Sequence, residues 1–218
     1  MTVLEDKLAY LVNPVLTELG GKALTALSSS STNKTEKMCA LTLDGYVTQV
    51  LMAEPWTCVS KRDSALTAST ETSDEFDYVY DLPTDFVRII GEPLFTGASH
   101  HYSDGTFSDW RIRGRYFESA FIGPDILYVY KPISTELEDA DTSTYFSTTM
   151  DNSLRAVIQA LCKWKWCYHV TGDLKATEFF RGEYFVTLKM AKAENLSNLK
   201  RVGVECNRLR YVKTLGVR

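Results

Sequence analysis

Leu4, Leu8, Leu11, Val12, Val15, Leu16 and Leu19 recur every three or four residues, which places them on one face of a helix and predicts a first helix over residues 3–19. Pro14 falls inside it. Because proline lacks a backbone donor and crowds the preceding turn, an interruption or kink is predicted there, and Gly20-Gly21 supplies the stop. Residues 28–33 (Ser-Ser-Ser-Ser-Thr-Asn) read as a loop whose last members are good N-caps. A second helix then carries Met38, Leu41, Tyr46, Val50 and Leu51 to about Ala53, with Gly45 a weak point inside it.

Between Pro55 and Pro132 the period changes to two. Phe76, Tyr78, Tyr80 and Leu82 alternate with polar residues, as do Trp110, Ile112, Gly114 and Tyr116, and Ile126–Tyr130 is a β-rich run bounded by Gly123-Pro124 and Pro132. A small antiparallel sheet is expected. Residues 134–151, acidic and rich in Ser and Thr, read as a loop. Leu154, Val157, Ile158, Leu161 and Tyr168 mark a third helix, and Gly172-Asp173 turns the chain into a fourth with Phe179, Phe180, Tyr184 and Leu188. No internal repeat is visible. The expected fold is α+β, one unit over residues 1–218: helices 1–2 in 1–54, a β insertion in 55–133, helices 3–4 in 150–195, and an extended basic tail in 196–218.

Composition narrows the function classes. The 218 residues carry 24 basic and 28 acidic side chains, a formal charge of −4, which argues against a surface built to coat nucleic acid while leaving room for a local basic patch. Cys39, Cys58, Cys162, Cys167 and Cys206 form an odd, dispersed set, and the N-terminal sequence has no basic segment followed by a long apolar run. A reduced, cytosolic chain without signal peptide or membrane span is expected.

The search for chemistry is mostly negative. On a helix, Cys162 and Cys167 stand about 140° apart around the axis, while Cys162 and His169 share a face but lie roughly 10 Å apart along it, too far for one zinc ion. His100-His101 sits in a loop-like stretch without a nucleophile elbow, and Gly20-Gly21-Lys22 lacks the spacing of a phosphate loop. Glu71, Asp74, Glu75, Asp77, Asp81 and Asp85 read as a solvated acidic loop. No catalytic residue, metal or cofactor is expected. One stripe stands out: on a strand running from Trp110 to Tyr116, period two would place Arg111, Arg113 and Arg115 on one face, opposite Trp110, Ile112 and Tyr116. These arginines are candidate phosphate contacts, although single-strand platforms want cations and rings on the same face. A solvated or subunit-facing strand side is the other reading.

Several segments together resemble the tail tubular protein A family, the head-to-tail adaptors of short-tailed bacteriophages. The resemblance begins at residues 12–20 (Val-Asn-Pro-Val-Leu-Thr-Glu-Leu-Gly), continues through Glu54-Pro55-Trp56-Thr57-Cys58, and is strongest in residues 80–88 (Tyr-Asp-Leu-Pro-Thr-Asp-Phe-Val-Arg). Arg113–Phe117, Leu127–Tyr130 and the two closing helices with Phe179, Tyr184 and Ala191 keep the family's order. Pro55 replaces the glycine usual before the tryptophan, and the asparagine usual after it is missing.

The resemblance implies a structural protein: a ring, dodecameric in the family, that joins the portal to the tail nozzle in the virion after assembly in the host cytoplasm. Viral double-stranded DNA would pass through its lumen, where acidic or neutral walls let it slide. Trp164, Trp166, Phe179 and Phe180 are the expected subunit-interface residues, unless the apolar surplus of these helices forms one internal core. The tail, with Lys200, Arg201, Arg208, Arg210, Tyr211 and Lys213, is the expected portal-docking element. It would otherwise be a frayed terminus or touch the passing DNA. The rival classes are a DNA-binding virion protein that uses the arginine strand and the tail, and an enzyme, for which no titratable cluster speaks.

Overall fold

Pro14 has no N–H to offer the turn before it, and the chain meets this by widening its helix. In the computed structural model, which describes residues 3–95, 109–131 and 145–201, α1 (Val3–Lys7) runs into a π-helical turn (Leu8–Val12) and then α2 (Asn13–Glu18). The Asn13 N–H reaches back five residues to the Leu8 carbonyl, and Pro14 takes its place in the first turn of α2. Gly20, at φ 76°, ends the segment. The Asn13 side chain then pins the following loop, donating to the Leu24 carbonyl at 3.0 Å and accepting from the Leu24 N–H at 2.8 Å.

The second predicted helix forms as α3 (Lys34–Ala53), capped by the Asn33 carboxamide on the Thr35 N–H at 3.0 Å. Cys39, Leu43, Val47, Val50 and Leu51 face inward, while Leu41 and Met52 face out. Trp56 folds back to donate to the Val50 carbonyl at 2.8 Å, and a 3₁₀ turn (Thr57–Val59) follows.

The predicted third and fourth helices are α4 (Asn152–Thr171) and α5 (Leu174–Arg201). Asp151 caps the first through the Leu154 N–H at 2.7 Å, Gly172 at φ 72° closes it, and Asp173 caps the second through the Lys175 N–H at 2.8 Å. Within the stretch read as a loop, Tyr145–Thr149 is instead a π-helical turn with Tyr145 and Phe146 buried. Its N-terminal donors are met from the far end of the chain: the buried Asp6 carboxylate accepts from Phe146 N at 2.6 Å and Ser147 N at 3.1 Å.

Among the described residues seven strands form the β part: β1 (Ser60–Asp63), β2 (Tyr78–Asp81), β3 (Phe86–Ile89), β4 (Leu94–Phe95), β5 (Trp110–Arg113), β6 (Tyr116–Ser119) and β7 (Pro124–Tyr130). One sheet has the order β1-β7-β3, with β4 paired to the start of β7; the other is β2-β6-β5, and every pairing is antiparallel. The stretch from Trp110 to Tyr116 is therefore not one strand. Gly114, at φ 65°, lets the chain reverse with Arg115 on the turn.

The fold is α+β. The described residues fall into two compact units: those within 1–59 and 131–218, which hold the helices, and those within 60–130, which hold the strands. Among the described residues no helix is long and apolar enough to cross a membrane.

Candidate functional site

The arginine stripe is the first candidate, and its geometry turns on an acid that the sequence pattern did not single out. In the β5–β6 hairpin Arg111 lies directly opposite Glu118. The Glu118 side chain has no exposed surface and takes Arg111 Nε on Oε2 and Arg113 Nε on Oε1, both at 2.5 Å. Removal from water would raise its pKa, yet the two guanidinium groups outweigh this and hold the carboxyl below the usual glutamate range. Arg111 also pairs with Glu75, and Arg113 donates to the Thr72 carbonyl at 3.3 Å. The bonds to Glu118 and Glu75 push the Arg111 guanidinium above its ordinary value against a smaller desolvation effect.

Arg111 and Arg113 are thus committed to intramolecular partners, and an external phosphate would have to displace carboxylates to reach them. Arg115 does not share their strand face, because it sits exposed on the Gly114 turn. The three-arginine phosphate platform is corrected accordingly. A glutamate four residues beyond Gly114, facing arginines on the incoming strand, is the signal that could have revealed the clamp.

The acidic residues of the β part are not uniformly solvated. Glu75 is drawn onto Arg111, and Asp85 is buried, taking Lys61 Nζ at 2.9 Å and the Tyr128 hydroxyl at 3.1 Å. This second bond explains the Leu-Pro segment structurally: a turn in which Phe86 N donates to the Pro83 carbonyl at 3.0 Å brings Asp85 onto β1 and β7. A depression of about 620 Å³ lies beside β2, lined among others by Glu71, Ser73, Phe76, Asp77, Tyr78 and Ile122. Among the described residues, no histidine, cysteine, lysine or arginine lines it.

The helical residues expected at a subunit interface separate sharply. Trp166 is fully buried against α3, its indole N–H donating to Thr42 Oγ1 at 2.9 Å and its ring 6.4 Å from Tyr46. It belongs to this chain's own core, and its interface assignment is corrected. Trp164, two residues earlier and therefore about 160° around the axis, is partly exposed and packs on Tyr184 and Phe185 of α5, with Lys165 Nζ 3.9 Å from its ring centre. Phe180 is half-buried beside Phe179, whereas Phe179 is 70% exposed. Val186 and Met190, which the sequence reading passed over, are as open at 60% and 69%. Counting on from Phe179 at 100° per residue places all three within a narrow sector of α5.

Burial pushes the thiols of Cys39 and Cys58 up to about 12, and that of Cys162 up as well. Among the described residues no group of three or more His, Cys, Asp or Glu is placed to hold a metal ion. His100-His101 and Cys206 lie outside the described residues, as do Arg208, Arg210, Tyr211 and Lys213. Lys200 and Arg201 fall at the end of α5, so residues 196–201 are helical where an extended tail is expected; the side chains of Lys200 and Arg201 are outside the described residues.

Comparison of the chain with protein-family models and with curated proteins finds no match.

Proposed function

We propose that the protein is a structural head-to-tail adaptor of a short-tailed bacteriophage, an adaptor-type helical bundle with a β insertion that forms a ring between portal and tail nozzle around the DNA exit channel. The observation that carries this reading is α5, which buries Tyr184, Ala191 and Asn195 on one face and exposes Phe179, Phe185, Val186 and Met190 elsewhere. Large apolar side chains gathered on one helix are the mark of a surface that another protein covers. The sequence resemblance supplies the kind of assembly.

Charge supports a conduit over a DNA-binding protein. The net −4 per chain gives passing duplex little to adhere to, and Arg111 and Arg113 are already neutralised by Glu118 and Glu75. Lys200, Arg201, Arg208, Arg210, Tyr211 and Lys213 remain the proposed contacts to the portal. The test is electron microscopy of the protein mixed with the portal of its phage. A complete ring of density, twelve subunits in a dodecamer, is expected on each portal; one or two bound copies, or none, would overturn the reading.

A further inference from the structure

We draw no further inference here: the strongest candidate, the exposed apolar ridge of Phe179, Val186 and Met190 along α5, carries nothing beyond the proposed function because nothing in the structure shows what covers it.

Discussion

The side-chain amide of Gln159 donates to the Tyr10 carbonyl at 2.7 Å. Tyr10 stands four residues before Pro14, so its oxygen is the acceptor an ordinary helical residue at position 14 would have served. A residue on α4 thus repairs the gap that proline leaves in the first helical segment, and ties that segment to the bundle. Gln159→Leu should lower stability by about 1–3 kcal/mol, the usual penalty for a buried carbonyl without a donor. Adding Pro14→Ala should recover part of the loss, because the new N–H can reach the same oxygen. Urea melts of the two single variants and the double variant measure this coupling; additive effects would show that Gln159 does not substitute for the missing donor.

The Glu118 clamp makes the β5–β6 hairpin acid-sensitive. With its folded pKa below the unfolded value, Glu118 contributes stability that is present above the ordinary glutamate range and is lost as pH falls through the lower folded value. Near-ultraviolet circular dichroism of the wild type should therefore weaken below about pH 4, where glutamates begin to protonate. In Glu118→Gln the hairpin contribution should be reduced already at neutral pH, with a shallower acid transition. An identical acid profile in the two proteins would contradict the clamp.

Trp166 and Phe179 should separate folding from association. Trp166→Ala removes a fully buried ring and is expected to cost about 3–5 kcal/mol, seen as a large drop in melting temperature. Phe179→Ser changes a side chain that is 70% exposed and should leave stability within about 0.5 kcal/mol of wild type while weakening ring formation on portals. Thermal melts and particle counts on the same preparations distinguish the two effects.

Thiol labelling offers a direct check on the core. With pKa values of about 12, Cys39 and Cys58 are thiolate in only about one molecule in ten thousand at pH 8. Brief iodoacetamide treatment of the native protein should leave both unmodified by peptide mass spectrometry, and Cys162, which is fully buried, likewise. Rapid native labelling of Cys39 or Cys162 would contradict the packing of α3 against α4.

What the sequence made legible was local. The Asn33 cap, the Gly172 stop and the apolar positions that mark α3 and α4 each depend on neighbours within a few residues, and these elements form where they are expected, although Leu41 and Tyr168 face out. The β5–β6 hairpin was misread because Trp110, Ile112 and Tyr116 keep period two across Gly114, so alternation alone could not reveal the reversal. Trp166 and Trp164 look alike in composition, and only the packing of α3 on one side of α4 and α5 on another tells core from surface. Asp6, Gln159, Glu118 and Asn195 escaped notice because their partners lie beyond the window of any local pattern. Asn195, for instance, clamps the backbone at Pro55 and Thr57 from the far end of α5.

The register of β1 and β7 has a practical consequence. Ser60 pairs with Val129, so the two ends of the strand-bearing segment leave side by side, about 5 Å apart as in any antiparallel pair. To the chain of the helical unit, residues 60–130 therefore behave as a narrow hairpin stem, however much is built beyond it. The entropy of closing that long excursion is met within the sheet and is not imposed on the helices. Such a stem is a natural grafting point: a different β module, or a short designed hairpin with the same strand separation, could be exchanged there while α3 and α4 keep their pairing.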